Sequence, residues 1–241
     1  MSTGTDSEQQ AAIDDLKRAS AEVAAAQLRD GMIVGLGSGS TARFAVEAIA
    51  KRVQAGLRII GIPTSEQTAS LAVERGIALS TLGEYSDIEV TIDGADEVEL
   101  DTLHLIKGGG GNQLREKIVA AASRRLVIIV DERKLVKKLG SRAPVPVEVA
   151  QFGWQATARH LTGRGAAPVL RVGADGKPYI TDGGNYILDC GFGSIDDPAA
   201  LQRELDATVG VMEHGLFIGM TSQVLIGTGE GVKQLEGGAA R

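Results

Sequence analysis

Aromatic residues are scarce in this chain, at 3% of its 241 residues, so any core must be built from valine, isoleucine, leucine and alanine. Cysteine is scarcer still. Cys190 is the sole thiol, which excludes a disulfide framework within one chain and fits a reducing compartment. No apolar run approaches the roughly 20 residues that span a bilayer. Residues 1–10 are polar and lack the apolar centre of a signal peptide. Positive charge is also in deficit: 25 Lys and Arg face 31 Asp and Glu, a formal net charge of −6. With no basic patch, nucleic acid is not an expected partner, and an anionic ligand would have to find local positive charge against that background. These absences predict a cytoplasmic protein with neither a membrane nor a nucleic-acid partner.

What is present suits an ordinary globular chain. Hydrophobic residues make up 43%, enough for a real core, and the length fits one large domain or a medium one plus a small one. Met1–Ser7 reads as a disordered tail. Glu8–Leu28 reads as an amphipathic helix with Ile13, Leu16, Val23 and Leu28 among its alanines. The pattern then alternates. Strands are expected at Gly31–Gly35, Arg58–Ile62, Ile77–Leu79, Val90–Asp93, Leu103–Ile106 and Leu126–Val130, with helices over Thr41–Ala55 and Thr64–Arg75. Such alternation argues an α/β fold with a doubly wound, mostly parallel sheet. From Val145 the order becomes β-α-β-β-α-β, the ferredoxin-like pattern of a small α+β domain. Ser222–Gly227 reads as one more apolar strand that can return to the first sheet. The expected division is residues 1–143 plus 220–241 for the larger domain and 144–219 for the smaller.

Two stretches carry chemistry. Strand, Gly-rich turn and helix N-terminus meet at Leu36–Ala42 (LGSGSTA), an arrangement that binds anions. Ser38, Ser40 and Thr41 add hydroxyl donors there. The same residues match the loose G-x-G-x-x-A dinucleotide fingerprint, but no acidic residue closes the second strand to hold a ribose, so a monophosphate is the better ligand. The second stretch is Val90–Lys117. Asp93 ends an apolar strand, Gly94 and Ala95 turn the chain, and Asp96 follows. Lys107 then precedes four glycines, Gly108–Gly111, whose N–H groups can converge on an anion. Asn112 is a candidate N-cap, with Glu116 in the first turns of the helix it opens. Paired carboxylates suit acid/base work. Asp93, Asp96 and Glu97 could instead hold Mg²⁺, although Lys107 is a poor neighbour for a cation. Lys17, Glu116 and the three histidines each have a structural reading, and Cys190 has no histidine at a telling spacing.

GLGSGSTA at 35–42, TIDGADEV at 91–98, LIKGGGGNQLREK at 105–117 and VDERK at 130–134 together resemble the type A ribose-5-phosphate isomerases. PVPVEV at 144–149, GGNYILD at 183–189, GLF at 215–217 and VLIGTGEGV at 224–232 extend the resemblance over nearly the whole chain. It implies a Rossmann-like domain with a smaller α+β domain, no metal and no organic cofactor, and a homodimer or homotetramer. The implied reaction interconverts ribose 5-phosphate and ribulose 5-phosphate. Glu116 would be the base that moves the proton between C2 and C1. Asp93 and Asp96 would assist ring opening and proton movement on the sugar oxygens, with Gly94 and Ala95 between them against the substrate. Lys107 would stabilise the enediolate. Ser38, Gly39, Ser40, Thr41, Gly108, Gly109, Gly110, Lys134 and Lys17 would bind substrate, the last reaching the phosphate. Two departures touch loop geometry only: Ser38 stands where many members carry threonine, and Gly111-Asn112-Gln113 stands where some have small apolar residues. Competing readings are a nicotinamide-dependent oxidoreductase, a sugar-phosphate sensor and a hexose-phosphate deaminase or isomerase.

Overall fold

The structure is a computed structural model that describes residues 3–238. In chain order its elements are α1 (Thr3–Ala26), β1 (Ile33–Leu36), α2 (Gly39–Gln54), β2 (Ile60–Pro63), α3 (Glu66–Glu74), β3 (Val90–Asp93), β4 (Glu97–Glu99), β5 (Leu105–Ile106) and α4 (Gln113–Ala121). There follow β6 (Leu126–Asp131), β7 (Leu135–Val136), β8 (Val145–Val149), α5 (Trp154–Thr162), β9 (Ala167–Leu170), β10 (Tyr186–Gly191), α6 (Pro198–Asp206), β11 (Val211–His214), β12 (Leu216–Phe217), β13 (Gln223–Thr228) and β14 (Gly231–Glu236). The chain forms two compact units. One comprises Met1–Gly94, Val119–Lys134 and Thr221–Arg241, the other Ala95–Ile118 and Leu135–Met220.

The first unit is a six-stranded sheet in the order β14-β13-β6-β3-β1-β2. All neighbours run parallel except the β13–β14 hairpin. β6 lies near its middle and all six of its residues are buried, as its unbroken apolar run requires. The order reverses at β1: the chain goes out through α2 to β2 on one side, while β3 lies on the other. The crevice at the carboxyl ends of β1 and β3 is therefore the switch point where such sheets bind ligands. Gly35 is required within β1, because a Cβ there would lie 1.8 Å from Thr91 Oγ1.

The first helix differs from its reading. Met1 and Ser2 lie outside the described residues, but α1 already starts at Thr3, within the expected tail. Extending a formed helix adds one hydrogen bond per residue ordered, so a polar segment ahead of an alanine-rich one is drawn in. The buried face also differs: Ala21, Ala24, Ala25 and Leu28 enter the core while Val23 is exposed. The helix packs too closely for larger side chains. At Gly227 of β13 a Cβ would lie 2.0 Å from the Leu16 carbonyl.

The second unit holds two four-stranded sheets. One has the order β11-β8-β10-β9, antiparallel throughout, with α5 and α6 completing the ferredoxin-like succession. Its core joins Val145, Val147, Val149, Leu161, Leu188 and Leu205 to Ile106, Val136 and Leu139. That shared core is why the unit reaches beyond the expected 144–219 to take in 95–118 and 135–143. The other sheet, β12-β5-β4-β7, is made of strands of two or three residues. Such strands have no period to read. β11 and β12, adjacent in the chain, are accordingly split between the two sheets. The split falls at Gly215, where a Cβ would lie 2.1 Å from the Lys107 carbonyl. Ile77–Leu79 contributes only a bridge between Gly61 and Leu79.

Cys190 and His214 are among the titratable groups buried in this unit. Burial pushes the Cys190 thiol up to about 12, so it is inert as a nucleophile. His214 is 1% exposed. Its Nε2 faces Asp206 at 3.0 Å and its Nδ1 accepts the Leu216 N–H at 3.2 Å. Burial first, and the neighbouring Lys117 ammonium second, press its pKa down to about 4, against the pull of Glu213 and Asp206. The unfolded ring binds a proton near pH 6.5 and the folded ring does not, so stability is lost as pH falls between those values. The loss is on the order of 3 kcal/mol. Urea midpoints at pH 7.5 and 4.5 should differ more for the native protein than for His214→Gln. Equal differences would remove His214 as the cause.

Candidate active site

In the first unit, the carboxyl ends of β1 and β3 place the glycine-rich loop ahead of α2 beside an aspartate. Ser38 is the N-cap residue of α2, in extended backbone, and Gly39 follows at φ +92°, a left-handed conformation suited to glycine. Asp93 is 1% exposed, and its Oδ1 accepts the N–H groups of Ser38 at 3.2 Å and Gly94 at 2.7 Å. Gly37 leaves room for this: a Cβ there would stand 2.2 Å from Asp93 Oδ1 and 2.7 Å from Asp93 Cα. Gly94 lies over Thr41, whose Cβ a side chain on Gly94 would meet at 3.4 Å. Thr41 is buried and Ser40 exposed.

The Ser38 hydroxyl is fixed by a cluster that sequence reading did not single out. Its Oγ lies 2.7 Å from Thr64 Oγ1, 2.8 Å from Ser65 Oγ and 3.1 Å from Thr68 Oγ1. Ser65 also caps α3 by accepting the Thr68 N–H. The run Thr64-Ser65 after β2 was the available signal, but hydroxyls ahead of a helix read first as caps. Lys17 is buried on α1, 3.5 Å from Asp14 Oδ1, next to the Leu16 carbonyl that closes on Gly227 at the carboxyl end of β13. Lys134 is half-buried in a 3₁₀ turn that follows β6.

In the second unit, β5 delivers Lys107 and the glycine loop delivers α4. Lys107 Nζ stands 3.2 Å from Glu116 Oε2, and the two side chains are 3% and 4% exposed. Phe217 of β12 lies under both Lys107 and Lys117, at 5.4 and 5.1 Å from its ring centre. Lys117 points the other way, to Glu213 and the His214 carbonyl. Asp96 Oδ2 accepts the Gly109 N–H at 2.7 Å. Asn112 precedes α4 as expected, but its side-chain amide donates to the Gly110 carbonyl at 3.3 Å. One turn before Glu116, Gln113 is fully buried with neither amide atom partnered. Its amide presses on Gly108, where a Cβ would lie 2.8 Å from Gln113 Oε1. His104 supports a loop, its Nδ1 accepting the Gly219 N–H at 3.2 Å.

This arrangement can do specific chemistry. A carboxylate and an ammonium face each other away from water, beside glycine backbone able to approach a small ligand closely. The carboxylate can take a proton from carbon, and the ammonium can hold the oxygen where negative charge then develops. Asp206, Glu213 and His214 also lie within metal-ligating distance of one another. His214 Nδ1 accepts the Leu216 N–H, so in the neutral ring Nε2 carries the proton and has no lone pair for a cation.

Residues 60–231 match the family model for ribose 5-phosphate isomerase A (phosphoriboisomerase A). A ribose-5-phosphate isomerase A of Gloeobacter violaceus is 57% identical over 228 residues, covering 95% of this chain and 99% of the relative. One from Synechococcus sp. is 53% identical over 226 residues, covering 93% and 98%. Among solved structures, the ribose 5-phosphate isomerase A of Methanocaldococcus jannaschii superposes with a TM-score of 0.89 at 44% identity, covering 92% of this chain and 98% of the other. A D-ribose-5-phosphate isomerase in complex with phospho-erythronic acid superposes at 0.90 with 39% identity, covering 93% and 99%. The chain belongs to the ribose 5-phosphate isomerase A family.

Proposed function

We propose that this chain interconverts ribose 5-phosphate and ribulose 5-phosphate through an enediolate, with Glu116 as the base. The observation that carries this reading is the buried Lys107–Glu116 pair at 3.2 Å. An aldose–ketose isomerase must remove a proton from a carbon beside a carbonyl and return it to the neighbouring carbon. Glu116 takes the proton from C2 and delivers it to C1. Lys107 stabilises the oxygen that becomes anionic between those steps. Asp93 and Asp96 move protons on the sugar oxygens and assist ring opening. Gly94 and Ala95 face the sugar between them.

The phosphate is held by Ser38, Gly39, Ser40 and Thr41 at the N-terminus of α2, with Lys17 and Lys134 supplying positive charge. Gly108, Gly109 and Gly110 offer backbone donors to the sugar. No metal or organic cofactor enters this chemistry. Thr41→Val should therefore raise KM for ribose 5-phosphate by about tenfold, the worth of one charge-assisted hydrogen bond. A kcat that collapsed while KM held would overturn the phosphate-grip role.

The same reading makes the protein a cytoplasmic homodimer or homotetramer in the non-oxidative pentose phosphate pathway. Phe152 and Val209, among the most exposed apolar side chains described, are surface that subunit association could bury. Light scattering on the purified protein would give the subunit number.

The reaction is tested by proton NMR of ribose 5-phosphate in D₂O with EDTA present. Appearance of ribulose 5-phosphate with deuterium entering at the reacting carbons is expected. Partial retention of the original proton fits one shielded base. No conversion and no exchange with folded protein would overturn the reading.

A further inference from the structure

The glycine loop after Lys107 is gripped from a side that none of the residues assigned above occupies. Arg171 follows β9, and its Nη1 donates to two carbonyls of the loop, Gly108 and Gly109, at 3.1 Å each. The guanidinium is itself held by Asp189 of β10, through Nε to Oδ2 at 2.9 Å and through Nη2 to Oδ1. Tyr179 continues the same wall. Its hydroxyl donates to the Gly110 carbonyl at 3.4 Å, and a Cβ on Gly111 would stand 2.6 Å from its ring. From the other side Gln113 closes on Gly108. Three consecutive carbonyls are thus turned toward one wall.

A trans peptide points its N–H opposite its C=O. With the Gly108 carbonyl on Arg171, the N–H of Gly109 is aimed at Asp96 Oδ2, where it is found at 2.7 Å. With the Gly109 carbonyl on Arg171, the N–H of Gly110 is directed away from the same wall. Glycine peptides meet little steric barrier to a flip, because both hands of φ are open to them, so hydrogen bonds must hold them; besides Arg171, the Gly111 N–H donates to the Gly108 carbonyl at 2.9 Å. A flip at either peptide would present a carbonyl oxygen where a donor now stands, toward a substrate rich in hydroxyl oxygens and toward the Asp96 carboxylate.

We infer that Arg171, locked by Asp189, is a positioning residue that fixes the donor orientation of the Gly108–Gly109 and Gly109–Gly110 peptides, and through the first of them the carboxylate of Asp96. The inference rests on the isomerase reading for its kinetic consequence and not for its structural one. Lysine cannot replace arginine here, since an ammonium lacks the planar fork that serves two carbonyls and a carboxylate at once.

Three proteins test it: the native chain, Arg171→Met and Arg171→Lys. In each, hydrogen exchange of the Gly109 amide is followed by NMR with ¹⁵N-glycine, and KM and kcat for ribose 5-phosphate are measured. Arg171→Met should speed Gly109 exchange at least tenfold and raise KM by about tenfold, as loss of a preordered loop does. Its kcat should fall by a smaller factor, and Arg171→Lys should lie nearer Arg171→Met than the native protein. Loss of stability alone would lower the active fraction and leave KM unchanged. Native-like Gly109 exchange and KM in Arg171→Met overturn the inference, and the same result in Arg171→Lys does so if the methionine variant fails to fold. An inactive native protein would defeat the isomerase reading, while Gly109 exchange would still decide the role of Arg171.

Discussion

Replacing Glu116 with glutamine is expected to lower kcat by about 10²- to 10⁴-fold, the usual worth of a general base. The substitution keeps shape and volume, which matters at a side chain 4% exposed. It removes only the ability to hold a proton taken from carbon. KM should change little, because the amide still fills the space and the residues proposed to hold the phosphate are others. Deuterium uptake from D₂O should fall in step with turnover, since both need the same abstraction. Circular dichroism and the thermal midpoint check that the fold survives the loss of charge opposite Lys107. Turnover within a few-fold of the native rate would remove Glu116 from its role.

Lys107→Met should be nearly as damaging, with kcat down by about 10²- to 10³-fold, as when one preorganised donor to a developing oxyanion is lost. Methionine matches the lysine stem in length and can keep its packing over Phe217, whose ring centre lies 5.4 Å from Nζ. What disappears is the ammonium. The loss should appear in kcat rather than KM, because the charge it stabilises exists only between substrate and product. Combined with Glu116→Gln, the two losses should fall well short of additive, since the two groups face each other at 3.2 Å and neighbours in contact couple. A double variant whose loss is the product of the single losses would mean that the two residues act independently.

The sequence pointed to the candidate site through residue types that are costly unless used. Four glycines after a lysine, and Asp-Gly-Ala-Asp after an apolar strand, have little structural return, and the structure leaves Lys107, Glu116 and Asp93 with an exposure of 4% or less. The supporting residues were not legible in the same way. Arg171 is 62 positions from Gly109, in a segment whose local pattern reads only as strand and turn. Thr64, Ser65 and Thr68 read as helix-capping residues, and only the neighbouring strand shows that they hold Ser38.

By itself the sequence determined the doubly wound sheet, the ferredoxin-like succession from Val145 and the identity of the charged groups. Each is encoded locally, by runs of apolar residues, by turn residues and by side-chain chemistry. Tertiary structure alone decided the rest: the alanine face of α1, the short sheet of two- and three-residue strands, the crossing at Gly215 and the grip of Arg171 on the glycine loop. These depend on how near two backbones come, and a residue such as Gly215 or Gly227 records that distance only by lacking a Cβ. An absence of that kind can be read as a turn or as a contact until the partner backbone is in place.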